Sequence, residues 1–169
     1  MHRQWEELEQ WLEANIPAVL ADLNPPADPS AIHDLQSRVR LPLPDDFIRC
    51  LGIHDGQKGQ AEPLFDGAAF LPVRRILMSW STWNELLEEG DFDGRAARPK
   101  GPVRPLWWLE GWIPFATNGG GDYLCLDMDP APQGTVGQVI RVFHDLADRI
   151  VIAPGFGPWF DRFVEHKCG

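Results

Sequence analysis

The chain has 169 residues, 44% of them hydrophobic, which suits one domain over residues 1–169 with a sizeable buried core. Fifteen Lys and Arg residues against 25 Asp and Glu residues give a formal charge of −10 at pH 7. This charge repels nucleic-acid phosphates and anionic lipids, so it argues against nucleic-acid and membrane partners and favours a basic protein partner.

The first half of the chain has the apolar spacing of amphipathic helices. Trp5, Leu8 and Leu12 recur at three- and four-residue steps. Asp28 and Pro29 suit the cap and the first position of the next helix. The predicted helices lie within residues 2–16, 23–40, 41–57 and 74–90, and a short strand is predicted within residues 68–73.

Residues 91–105 contain two glycines and three prolines and show no periodicity, which predicts a surface loop. Arg95, Arg98, Lys100 and Arg104 make this loop the one basic patch on an acidic chain. Three interpretations stay open: the loop is solvated, it contacts a partner, or it is pinned to the acidic body.

The last third of the chain predicts a sheet. β-branched and aromatic runs are separated by short turns, with no room for helical crossovers, so the strands form antiparallel hairpins. A final helix is predicted from the aromatic stripe of residues 155–167. The predicted strands are residues 112–116, 122–128, 137–144 and 149–153.

Gly119, Gly120 and Gly121, followed by Asp122, could indicate a phosphate loop, a metal site or a turn. A phosphate loop requires a helix directly after it, whereas residues 123–129 alternate with the period of a strand. The acids that follow lack the spacing of a calcium loop. The stretch is therefore predicted to be a hairpin turn, whose bare tip can also admit another molecule.

No motif commits the chain to a reaction. There is no GxSxG elbow, and the five His residues are scattered without metal-ligand spacing. Cys50 and His54 have helical spacing, but Cys50 lies in an apolar setting. We predict no catalytic residue, no metal site, no cofactor and no enzymatic activity.

The odd number of cysteines, without a CxxC pair, predicts free thiols and a reducing compartment. No apolar run approaches the ~20 residues of a membrane helix, and residues 1–10 lack the pattern of a secretory signal. We therefore expect a soluble, cytoplasmic chain. The oligomeric state is not predicted.

Three tryptophans cluster where the basic loop ends. They could pack in the core, form part of a partner-binding surface or stack against a carbohydrate. We expect Trp107 and Trp108 to be partly exposed, and Asp127 and Asp129 to lie on the outer face of a strand. The predicted partner-binding residues are Trp107, Trp108, Trp112, Gly120, Gly121, Asp122, Asp127 and Asp129.

An ordered set of short motifs resembles the SUKH superfamily, and more narrowly the branch of the fungal cell-wall-assembly regulator. The resemblance covers residues 5–163. The motifs are LPDDF at 43–47, HDGQ at 54–57, LFDG at 64–67, WIPFA at 112–116, GGGDYLCLDMDP at 119–130 and GQVI at 137–140.

This resemblance implies an α+β domain with a curved, mainly antiparallel sheet, helices packed around it and no established catalytic activity. Bacterial members resemble immunity proteins that block toxins, often nucleases, and the fungal regulator resembles a signalling hub. We therefore expect an immunity protein that neutralises a basic toxin by direct contact, or alternatively a regulatory adaptor in cell-envelope or cell-wall synthesis. The resemblance also implies fold-keeping roles for His54, Asp55, Gly56 and Pro114.

Overall fold

The five predicted helical stretches each contain a helix in the computed structural model, which describes residues 1–169, and a sixth helix lies between the first two. Pro17 opens a new helix directly after the first one, because proline suits a first helical position. None of the helices combines the length and apolar character needed to cross a bilayer. The helices are α1 (His2–Asn15), α2 (Pro17–Asp22), α3 (Pro29–Val39), α4 (Asp45–Leu51), α5 (Val73–Glu88) and α6 (Phe156–Cys168).

Two aspartates fix the starts of helices. The Asp28 carboxylate accepts a hydrogen bond of 2.8 Å from the Ser30 backbone N–H, which confirms the predicted cap of α3. Asp46, in the first turn of α4, accepts from the Gly157 backbone N–H at 2.7 Å. This second bond joins α4 to the first turn of α6, 111 residues further along the chain.

Six strands form one open sheet in the order β1-β3-β4-β5-β6-β2. Strands β3 to β6 follow one another as antiparallel neighbours, so the predicted hairpins and the α+β class are confirmed. The strands are β1 (Ala69–Phe70), β2 (Arg98–Lys100), β3 (Trp112–Thr117), β4 (Tyr123–Asp127), β5 (Gln138–Val142) and β6 (Asp148–Ala153).

Strand β2 corrects part of the prediction of a surface loop over residues 91–105: Arg98–Lys100 stay exposed but form a strand. It pairs in parallel with β6, and the Arg98 backbone N–H donates to the Ala147 carbonyl at 2.8 Å. The Asp148 carboxylate forms ion pairs with Arg98 and Lys100 at 2.9 and 2.8 Å. Of the three open interpretations, the loop pinned to the acidic body is therefore the one observed.

The central strands are buried on both faces, and all six residues of β3 are buried. On one face, the Phe115 ring contacts Phe47 of α4 and Trp159 of α6, with ring centroids 5.8 and 5.1 Å apart. On the other face, Tyr123 meets Trp83 of α5 edge to face at 6.1 Å. The sheet is thus a middle layer that is covered over most of both faces; apart from its ends and connecting turns, the edge strand β2 and one residue of β5 reach solvent.

Both edges of the sheet are closed to a further strand. At β1, the outward N–H and C=O groups of Phe70 bond to the side chain and backbone of Gln57, at 3.1 and 2.8 Å. At β2, the N–H of Arg98 points to β6, so Pro99 presents the free edge and has no N–H to donate. A partner must therefore dock on turns and side chains.

Candidate functional site

The residues of the HDGQ motif lie between α4 and α5 and make structural contacts. The His54 ring nitrogens lie 2.7 Å from the Asn24 carbonyl oxygen and 2.7 Å from Glu9 Oε1. The same ring packs against the Trp5 indole, with centroids 4.8 Å apart. His54 therefore ties α1 to the segment that follows α2, and none of its nitrogens faces a thiol.

Asp55 and Gly56 set the start of α5. Asp55 Oδ1 accepts a 2.7 Å hydrogen bond from the Val73 backbone N–H, which caps that helix. Gly56 has a φ of 63°, and a Cβ atom there would lie 2.3 Å from the Pro72 nitrogen. Pro114 lies at a register shift in the β3–β4 pairing. These positions have clear packing and hydrogen-bonding reasons for their residue types.

The expected exposure of the clustered tryptophans is wrong. Trp107, Trp108 and Trp112 are 9%, 2% and 0% exposed. The guanidinium groups of Arg95 and Arg149 lie over the Trp107 ring, at 4.8 and 4.6 Å from its centroid. A partner that docks on the folded chain cannot reach these indoles. Of the three interpretations, packing in the core is therefore the correct one.

The expected outer position of Asp127 is also wrong, because its side chain is completely buried. The segment around Pro102 covers that face of β4: Gln138 donates both to the Pro102 carbonyl and, at 2.8 Å, to Asp127 Oδ2. Burial raises the pKa of Asp127 against the opposing effect of this hydrogen bond. Asp129 does reach solvent, where it pairs with Arg104 at 2.9 Å.

The glycine stretch is a turn, as predicted. Thr117 and Tyr123 are the last pair of the β3–β4 hairpin. Gly119 and Gly121 have φ angles of 80° and 100°, which favour glycine. A Cβ atom on Gly121 would also lie 3.0 Å from His144 Cβ. The two positions therefore require glycine for the turn itself.

Gly120 differs from both neighbours. Its φ is not positive, and the nearest atom to an added Cβ is Asn118 Oδ1, at 3.4 Å. It is also exposed. The tip of the turn can therefore carry a side chain without a change of backbone.

Asp122 connects the turn to the end of β5. Its Oδ1 accepts hydrogen bonds from the His144 backbone N–H at 3.0 Å and from His144 Nδ1 at 2.8 Å, and its Oδ2 accepts from Asn118. Burial opposes ionisation of Asp122, but the hydrogen bonds from His144 outweigh it and lower the pKa. The hydrogen bond to Asp122 raises the pKa of His144.

A pocket of about 150 Å³ opens beside this turn, and we call it the tip pocket. Small-molecule sites usually measure about 300–1,000 Å³, so the tip pocket fits a single side chain of a partner better than a substrate or cofactor. It is lined by Phe65, Asp66, Gly67, Ala68, Asn118, Asp122, Tyr123, Leu124, Arg141 and Phe143.

Two groups of side chains, one in the tip region and one in α4, invite a chemical interpretation. Ligand atoms of Asp122, His144 and Asp145 lie within 4.8 Å of one another, but a cation there would displace the bond from His144 Nδ1 to Asp122. Elsewhere, the Cys50 thiol is fully buried, and burial raises its pKa, so it remains protonated and unreactive.

Sequence reasoning placed Asp122 at the site but missed Arg141. Arg141 is the only charged residue in the strand Gln138–Val142 and its only exposed one. A charged residue inside a β-branched run was the available signal, because a strand exposes such a residue only where nothing covers the sheet.

A sequence model of the SMI1 / KNR4 family (SUKH-1) matches residues 26–162, which is most of the chain. The chain belongs to this family. The resemblance inferred from the motifs is thereby confirmed, and the matched residues include the HDGQ motif, the glycine turn and every residue of the tip pocket.

Curated SMI1/KNR4 relatives are fungal. The chain is 28% identical over 163 residues to the cell wall biosynthesis/cell cycle regulator smi1 of Schizosaccharomyces pombe, covering 88% of this chain and 32% of that protein. It is 24% identical over 197 residues to the glucan synthesis regulatory protein of Neurospora crassa, covering 95% of this chain and 37% of that protein.

A third relative is the cell wall assembly regulator SMI1 of Saccharomyces cerevisiae, 20% identical over 196 residues, with 95% of this chain and 39% of that protein covered. The SUKH-1 chain described here spans only about a third of the length of these relatives. All three are named as regulators, which agrees with the expected absence of enzymatic activity without testing it directly.

Proposed function

We propose that this SUKH-1 chain is a non-enzymatic protein-binding module that acts as a regulatory adaptor in cell-envelope or cell-wall synthesis. The observation that carries the proposal is the family match over residues 26–162 together with relatives named as regulators of cell wall and glucan synthesis. These names favour the adaptor, our alternative expectation, over the toxin-neutralising role that we expected first.

The geometry supports docking at the glycine turn and the tip pocket. The turn is exposed, its tip at Gly120 has free space around it, and the adjoining pocket has room for one side chain. Because both sheet edges are closed, a partner does not bind by adding a strand to the sheet. Interfaces of this kind draw most of their affinity from a few anchors seated in pockets.

Affinity purification from the native cells tests the proposal. The wild-type chain should recover an enzyme or signalling protein of envelope synthesis. Gly120→Arg, which adds bulk at the tip without backbone strain, should lose that protein. Ser37→Arg adds the same charge at an exposed position of α3 and should retain it. Recovery of no such protein, or equal recovery by Gly120→Arg, would contradict the proposal.

The formal charge of −10 favours a second candidate, neutralisation of a basic toxin, because an acidic inhibitor associates rapidly with a basic target. Co-expression with the toxin encoded beside the gene should then restore growth. Continued killing while the chain is expressed in soluble form would exclude this role. The two candidates thus differ in the class of protein that the same surface binds.

A further inference from the structure

We propose that Arg141 is the specificity-determining residue of the tip pocket, and that the pocket accepts one carboxylate side chain, Asp or Glu, of a protein partner. The inference rests on the proposed protein-binding function and names the chemistry of the group that is bound. It is carried by the position of Arg141, by the charges around it and by the size of the pocket.

Arg141 lies on an uncovered part of the sheet. In β5 its backbone pairs with Leu124 on one side and with Ile150 on the other, while the other four residues of the strand are buried. The pocket walls near it include Leu124, which lies opposite Arg141 on the same face of the sheet, and Phe143. The strand therefore holds the Arg141 backbone rigidly and presents its side chain at a pocket of mixed polar and apolar lining that is open to solvent.

Arg141 is the one charged group of the pocket without a partner in the protein. Asp66 is paired with Lys167, and Asp122 is bonded to His144 and Asn118. No side-chain hydrogen bond or ion pair engages the Arg141 guanidinium. A free guanidinium presents five N–H donors in a fork that matches a carboxylate.

The surrounding charge opposes every anion, so binding must come from direct contact with Arg141. Asp66 and Asp122 lie at the same pocket, and the whole chain carries −10. A carboxylate makes the same two-point contact with a guanidinium as a phosphate group and brings about half the negative charge into this field, which is why the proposal commits to it. A volume of about 150 Å³ accommodates one acidic side chain, with its methylene groups against the aromatic walls.

Small probes test this assignment without the native partner. Amide resonances of the ¹⁵N-labelled chain would be followed during titration with N-acetyl-glutamate N-methylamide, its glutamine counterpart and N-acetyl-phosphoserine N-methylamide. We expect the glutamate probe to shift Tyr123, Leu124, Arg141 and Phe143, and to bind about tenfold more tightly than the glutamine probe. Tighter binding of the phosphoserine probe would overturn the carboxylate assignment.

Two variants locate the effect. Arg141→Gln should weaken binding of the glutamate probe by about tenfold or more. Arg38→Gln removes the same charge from an exposed position of α3 and should leave binding unchanged. Unchanged binding in Arg141→Gln, with far-UV circular dichroism as in the wild type, would overturn the proposal.

The two proposals fail separately. If the glutamate probe binds at Arg141 but purification recovers no envelope-synthesis protein, the pocket assignment stands and the regulatory role is wrong. If such a protein is recovered and Arg141→Gln retains it as well as Arg38→Gln does, the regulatory role stands and the pocket assignment is wrong.

Discussion

Three identical residues in a row have three different structural requirements at the tip of the β3–β4 hairpin. Gly119 requires glycine for its φ angle, Gly121 for its φ angle and for the nearby His144, and Gly120 for neither reason. The sequence predicts the turn, since no helix follows the glycines. It does not distinguish the three positions, because the side chain that crowds Gly121 belongs to His144, 23 positions further along the chain.

Alanine substitutions should separate these glycines. We expect Gly121→Ala to lower the free energy of unfolding by about 1–3 kcal/mol, because it forces a side chain into a left-handed conformation against His144. Gly120→Ala, the matched control, should leave it unchanged or raise it by less than about 1 kcal/mol. Urea denaturation measures both values, and equal losses would contradict the assignment.

The Asp122–His144 contact should make stability depend on pH in a defined direction. The pKa of His144 is raised above its ordinary value of 6.5. The contact therefore stabilises the folded state fully below pH 6.5, and this stabilisation is lost as the pH rises through the folded-state pKa. The pKa of Asp122 is lowered below 3.8, so its contribution is lost only as pH falls below that value. The pair therefore stabilises most between pH 3.8 and 6.5.

Urea midpoints at about pH 6 and about pH 8.5 test this direction. The midpoint of the wild type should fall more between the two conditions than that of His144→Gln, because the two chains differ only in the His144–Asp122 contact. An identical pH response in the two chains would show that the contact contributes nothing.

At the scale of elements, the β-branched and aromatic runs and the short turns between them predict strands β3 to β6 and their hairpin order. Strand β2 escaped prediction, because its residues are held by pairing with β6, 50 positions later, and have no apolar alternation of their own. The sequence also failed to predict the burial of Trp107 and Asp127, for a related reason. Which segment crosses the second face of the sheet depends on long-range packing that the period of a strand does not reveal.

Gln57 joins α2, the 58–64 loop and strand β1. Its side-chain oxygen accepts from the backbone N–H groups of Leu64 and Phe70 at 2.9 and 3.1 Å, and its amide donates to Asp22 at 3.1 Å. The same amide also donates to the Glu62 carbonyl at 3.0 Å.

We expect Gln57→Ala to lower the free energy of unfolding by about 3 kcal/mol, because it leaves two buried N–H donors without an acceptor. Gln60→Ala should change it by less than about 0.5 kcal/mol, since the Gln60 side chain is exposed. Thermal and urea denaturation provide the comparison. A loss below about 1 kcal/mol for Gln57→Ala would mean that water satisfies these donors.

At the scale of the whole molecule, the buried apolar residues form one cluster of 40 that reaches from α1 to α6. A chain with one core is expected to unfold cooperatively. Far-UV circular dichroism and tryptophan fluorescence should therefore give coincident transitions in urea. Two separated transitions would show that residues 1–169 contain more than one folding unit.

Gln57 and Pro99 matter beyond the fold that they complete. A regulator that gathers other proteins also concentrates copies of itself, and at high local concentration an accessible strand would template fibrils. Because the Gln57 side chain closes one edge of the sheet and Pro99 closes the other, crowded copies of this chain do not join through their strands.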